Sequence, residues 1–207
     1  TIVVLVAGSS MAIGWMDQHI PAIIDAWYPG EQGGTAIAEV LFGDYNPAGR
    51  LPLTFYNSIE DLPDFDDYNV KNNRTYMYFE GKPLYAFGYG LSYTKFDYRN
   101  LNIKQDTQNV TLNFSIKNSG KYNGDEVAQV YVKFPDQGIK TPLKQLKGFK
   151  RVHIKKGATE QISIEIPKEE LRLWDDQKKQ FYTPSGTYHF MVGKSSDNIC
   201  LQKTAEL

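Results

Sequence analysis

The chain has 207 residues, with 23 basic against 24 acidic side chains and a formal net charge of −1. At 41% hydrophobic it is too apolar for a disordered tail, and its single cysteine cannot close a disulfide within the chain. The balanced charge supplies no basic field, so no nucleic-acid partner is expected, and no apolar run nears the roughly 20 residues of a membrane span.

Thr1 to Ala7 reads as a strand that is apolar on both faces, stopped by Gly8-Ser9-Ser10. Continuous apolarity means cover on both sides, as in a parallel sheet. The run has no basic lead, so it is not a signal peptide as it stands. A second apolar run, Pro21 to Tyr28, reads as another strand, although its period does not settle strand against helix. Gly33 to Phe42 is helical: Ile37, Val40 and Leu41 share a face, and Gly43 supplies the stop. Asn46-Pro47-Ala48-Gly49 reads as a turn and Leu51 to Tyr56 as a further short strand. Residues 1–56 are thus a piece of an α/β sheet too small to bury its own strands. Either a partner chain covers Ile2 to Val6, or the stretch is cut from a longer polypeptide. The absent N-terminal Met and start signal favour the cut.

Residues 57–98 change character. Asp61, Asp64, Asp66 and Asp67 cluster, and then rings dominate from Tyr68 to Tyr98. An unfolded linker carries few aromatics, so this is an ordered connector that packs by its rings. Residues 99–207 read as an all-β sandwich. Val110, Leu112, Phe114 and Ile116 alternate with polar residues, and Val127 to Phe134 alternates again. Further strands are expected at Gln145 to Ile154, Thr159 to Ile166, Phe181-Tyr182, Thr187 to Val192 and Ile199 to Leu207. About seven short strands in roughly 100 residues indicate an immunoglobulin-like or fibronectin type III-like sandwich. The absence of a cysteine pair points toward the fibronectin type. Fourteen Tyr, 11 Phe and 3 Trp suit an aromatic β-core first, and stacking on apolar sugar faces second.

Several strings are similar to glycoside hydrolase family three. Ala26-Trp27-Tyr28-Pro29-Gly30-Glu31-Gln32-Gly33-Gly34, Ala36 to Asp44 and Asn46 to Pro52 resemble the end of that family's α/β sandwich domain. Pro83-Leu84-Tyr85-Ala86-Phe87-Gly88-Tyr89-Gly90-Leu91-Ser92-Tyr93-Thr94 resembles its linker. Gly124-Asp125-Glu126-Val127, Leu146 to Val152 and the Gly186 to Gly193 strand resemble its fibronectin type III-like C-terminal domain. The resemblance implies three regions: 1–56 as the α/β piece, 57–98 as linker and 99–207 as sandwich. It implies a retaining exo-acting β-glycosidase acting on β-linked oligosaccharides or aryl glycosides, of the β-glucosidase or β-xylosidase branch that Arg74-Thr75-Tyr76 resembles. The family's nucleophilic Asp and its usual acid/base Glu lie upstream of the strand that Thr1 to Ala7 resembles. The chain by itself is therefore expected to be scaffold. A periplasmic or secreted full-length protein follows from the same resemblance.

Retaining hydrolysis needs two carboxyls about 5–5.5 Å apart. Glu31, in a Gly-rich loop after a predicted strand, is the tempting one, but its proximity to a helix start favours a capping role. The aspartate cluster lacks the spaced Glu of a calcium loop and reads as solvated. Gly8-Ser9-Ser10 is not a nucleophile elbow. His19, His153 and His189 lie in different elements, and Cys200, between Ile199 and Leu201, reads as a small buried hydrophobe. No zinc spacing, phosphate loop or dinucleotide fingerprint occurs, so no metal or cofactor is expected. No catalytic residue is assigned. The substrate-binding candidates are Arg74, for paired hydrogen bonds to hydroxyls, and Tyr76, or Tyr78, for stacking; the alternative is that these rings glue the linker to the sheet. A carbohydrate-binding or protein-interaction module without catalysis is the second reading of the whole chain. Alone, the chain is expected to self-associate through Ile2 to Val6.

Overall fold

The computed structural model describes residues 1–207. The N-terminal unit holds two parallel strands, β1 (Ile2–Leu5) and β2 (Ala22–Asp25), paired from Ile2 with Ala22 to Leu5 with Asp25. Both strands are thus where their apolar runs place them. Between them lies a short helix, α1 (Gly14–His19), which the sequence reading passed over. Its signal is Ile13, Met16 and Ile20 at spacings of three and four, and all three are at least half-buried. Helix α2 (Gly33–Phe42) occupies the predicted residues, and Gly43 ends it at φ 84, where a Cβ is strained.

Leu51 to Tyr56 bends at Pro52 and Leu53 and joins no sheet, contrary to expectation. Its one bridge is Phe55 with Tyr85. The Leu51 and Phe55 amides donate to the Tyr89 and Tyr85 carbonyls at 2.8 and 2.9 Å, and Leu51 accepts from Gly88 at 2.7 Å. Pro52 has no N–H to continue a ladder, so the segment is held by the connector. The connector contains a 3₁₀ turn at Ile59–Asp61 and one helical turn, α3 (Thr75–Tyr78).

The sandwich has two main sheets. One is ordered β11-β10-β5-β6 and the other β3-β4-β7. The strands are β3 (Phe96–Gln105), β4 (Asn109–Asn118), β5 (Gly124–Lys133), β6 (Gln145–Ile154), β7 (Thr159–Pro167), β10 (Thr187–Gly193) and β11 (Ile199–Glu206). A small hairpin of β8 (Leu173–Asp175) and β9 (Gln180–Tyr182) stands beside them. Val110, Leu112, Phe114 and Ile116 all point inward and are buried with Ile164, Val130 and Phe190, as alternation requires. β3 has no counterpart among the expected strands. Asn100 sits at φ 61 and the pairing register shifts between Arg99 and Asn102, so a bulge reverses the apolar phase within it. Cys200 corrects the sequence reading. It is exposed, because period 2 sends it to the face opposite its half-buried neighbours Ile199 and Leu201.

On β5 the outward face is buried too. Gln129 and Tyr131 lie beneath the connector, which forms a third layer there. The α/β unit docks on the same sheet further along. The Asn46 amide donates to the Asn123 carbonyl and accepts from Ser92 and from the Tyr93 amide. Arg151 bridges the Tyr45 hydroxyl and Asp125, whose other oxygen lies 2.7 Å from His153 Nδ1. Burial pushes the Asp125 carboxyl up, but its hydrogen bonds from His153 and Arg151 outweigh that and hold it below its ordinary value. A carboxyl lowered by folding contributes stability that is present above its unfolded pKa and lost as pH falls through its folded one. Acidification below about pH 4 therefore weakens this latch. Asp125→Asn removes that part of the loss; acid titrations of wild type and variant followed by circular dichroism check it, and identical pH profiles contradict it.

Candidate functional site

Parallel strands send their carboxyl ends the same way, and α/β sheets bind ligands outside those ends. The chain leaving β1 reaches Ser10, which lines a cleft of about 230 Å³ with Thr54, Tyr56, Thr75, Tyr76 and Phe87 among others. The candidate Tyr76 thus shares a cleft with the loop that follows β1. No carboxylate lines the cleft. The chemistry it offers is shape, ring faces and hydroxyls.

Both substrate-side candidates are also engaged in holding this wall. The Arg74 guanidinium donates through Nη2 to the carbonyls of Asp64 and Asp67, at 3.0 and 2.5 Å. Its Nε is buried without an acceptor. The Tyr76 ring stacks on Phe87 at 4.2 Å and meets the edge of Tyr131, and its hydroxyl accepts from the Leu146 amide at 3.0 Å. Burial pushes the Tyr76 hydroxyl up, against the lowering by that amide. Tyr78 is buried.

The backbone here is strained. Asn73 and Thr75 have φ 57 and 58, and a β-branched residue in the left-handed region costs on the order of 1–3 kcal/mol. Tyr56 compensates by accepting the Thr75 amide at 2.8 Å. At the end of β2, Trp27 is likewise left-handed, and its amide donates to Asp25. Burial pushes the Asp25 carboxyl up, partly offset by that amide, and its second oxygen is buried with no partner. The sequence reading missed Tyr56, Thr75 and Asp25. For Asp25 the signal is a charge closing an apolar run; for the other two nothing local points to the site.

The remaining candidates lie elsewhere. Glu31 is exposed and precedes the α2 N-cap, Gln32, and no side chain caps the helix. Asp61 completes a capping box with Ser58. Asp67 accepts from Asn72 and from the Asn69 amide, which together hold its carboxyl below its ordinary range. His19 stacks on Trp15, and His189 is exposed on β10. The three histidines remain apart.

Comparison with known proteins matches this architecture along the chain. Residues 1–93 match the glycosyl hydrolase family 3 C-terminal domain, and residues 126–196 match a fibronectin type III-like domain. A xylan 1,4-beta-xylosidase from Xylanibacter ruminicola is 42% identical over 199 residues, covering 95% of this chain and 23% of that protein. A periplasmic beta-glucosidase from Salmonella typhimurium is 36% identical over 96% of this chain and 28% of its own length. Beta-glucosidase 3B from Thermotoga neapolitana, solved with glucose, superposes over 99% of this chain and 31% of its own at a TM-score of 0.91 and 33% identity. The chain spans roughly a quarter of the length of the curated relatives it matches. Sheet, connector and sandwich occur here in the order of those relatives, and the chain belongs to glycosyl hydrolase family 3 as its C-terminal domain followed by the fibronectin type III-like domain.

Proposed function

We propose that the whole protein is a retaining exo-β-glycosidase that removes terminal β-D-glucosyl or β-D-xylosyl residues, and that this chain is its supporting part. The observation that carries this reading is the match of residues 1–93 and 126–196 to the family's C-terminal and fibronectin type III-like domains, over about a quarter of the length of relatives named beta-xylosidase and beta-glucosidase. The two carboxyls of a retaining mechanism then come from outside residues 1–207. In this reading 1–56 supports the cleft, 57–98 forms its ring-rich wall, and 99–207 buttresses both. The strain at Asn73 and Thr75 supports placing Arg74 and Tyr76 on the substrate side, since such strain concentrates at functional sites.

The test is an assay of the purified chain on an aryl-β-glucoside and an aryl-β-xyloside. No turnover is expected; turnover abolished by Glu31→Gln overturns the reading. Titration with cello- and xylo-oligosaccharides separates scaffold from a carbohydrate-binding module, for which saturable binding at millimolar strength or better is required. In the complete enzyme, Tyr76→Leu raises KM more than it lowers kcat, and an unchanged KM removes Tyr76 from the substrate side.

We also propose that the chain alone self-associates. Ile2 and Val6 are exposed on or beside β1, and one edge of each parallel strand is unpaired. Light scattering at rising concentration checks this; a monomer at every concentration contradicts it.

A further inference from the structure

A second cleft, of about 220 Å³, lies between the connector and the sandwich, away from the first. Arg50 and Glu126 line its interior, with side chains 9% and 1% exposed, and Lys95, Lys194 and Ser195 stand around them. Glu126 is paired through one oxygen: its Oε1 accepts from Arg50 Nη2 and from the Val127 amide, both at 2.8 Å. The lining then carries the charge of two lysines in excess, and neither enters an ion pair. The Lys194 ammonium sits 6.0 Å from the Tyr98 ring centre. Two buried atoms nearby, Arg50 Nε and the Tyr98 hydroxyl, have no partner. Three lining hydroxyls are spent elsewhere: Ser195 donates to Asp197 on the exposed side of its loop, Ser92 donates to Asn46, and Thr94 donates to Asn118.

Cationic donors therefore outnumber the acceptors here. Buried donors that lack acceptors are costly, and cations around a low-dielectric wall attract an anion. The volume falls below the roughly 300–1,000 Å³ of drug-sized pockets, so it suits one small group.

We propose that this cleft binds a small oxyanion, supplied either as free phosphate or as the carboxylate of a sugar acid. It is independent of the glycosidase reading. The bound anion would bridge Lys95 on the connector side to Lys194 at the β10–β11 turn, and so fasten the connector to the sandwich.

The experiment uses the purified chain with sodium phosphate and, separately, sodium glucuronate, at ionic strength matched with sodium chloride. Calorimetry measures binding and thermal melting measures the mass-action stabilisation. Cys200, the sole thiol, lies with Sγ 3.9 Å from Asn198 Oδ1 beside the cleft, so its alkylation by iodoacetamide reports occupancy. Saturable millimolar binding of at least one anion is expected, with a higher melting temperature than in chloride and slower alkylation. Lys194→Gln weakens binding about tenfold, the scale of one lost charge-assisted hydrogen bond. The variant's melting temperature rises less on addition of the anion than that of the wild type. Binding of phosphate alone identifies the free ion; tighter glucuronate identifies the sugar acid. The proposal is overturned if neither anion binds saturably, or if Lys194→Gln and Lys95→Gln both bind like wild type.

Discussion

Replacing Arg50 by Leu unfolds the chain at a markedly lower temperature. Arg50 Nη2 and Glu126 Oε1 are 2.8 Å apart with 9% and 1% of their side chains exposed, and they join the α/β unit to β5. Removing one partner leaves the other charge buried and alone, at a cost of about 3–5 kcal/mol. For a chain of this size each kcal/mol lowers the melting temperature by roughly 2–4 °C, so a fall on the order of 10 °C is expected. Calorimetry of Arg50→Leu measures it. The double change Arg50→Leu with Glu126→Leu recovers part of the loss, because an apolar pair carries no unpaired charge. A double variant no more stable than Arg50→Leu alone assigns the loss to packing instead.

Gln129→Leu has the next largest effect. Gln129, 3% exposed, donates through Nε2 to the Gly88 and Lys194 carbonyls at 3.1 and 2.5 Å, and its Oε1 accepts from Tyr131 at 2.6 Å. It joins connector, sandwich strand and β10–β11 turn at one side chain. Leucine leaves two carbonyls and a hydroxyl unpaired at about 1–3 kcal/mol each, and partial relaxation brings the net to about 3 kcal/mol. Gly88 explains how tightly the parts meet. Its φ is 81, and an added Cβ would overlap Gln129 Oε1. Urea unfolding measures the stability loss, and chymotrypsin should cut the loosened connector near Phe87 and Tyr89. A variant as stable and as protease-resistant as wild type contradicts this account.

Much of the fold was legible because its signals are local. Helix α2 needed only a shared face and Gly43, and β4 only the alternation from Val110 to Ile116. The elements misread were those whose pattern is broken or shared. The bulge at Arg99 to Asn102 inverts the phase of β3, and Leu51 to Tyr56 has strand composition but pairs with a connector. The site was less legible. Tyr76 was visible as a ring in a ring-rich segment, but its stack on Phe87 and its bond from Leu146 join residues far apart in the chain.

By itself the amino-acid order determined where apolar period 2 and period 3.6 begin and end, and so the α/β piece, the ring-rich connector and the sandwich. Tertiary structure alone decided which polar groups meet inside. Arg50 and Glu126 are 76 residues apart, and neither residue's neighbours foretell the other. Burial of a charge is tolerable only when a partner arrives with it, and that arrival is a property of the packed layers.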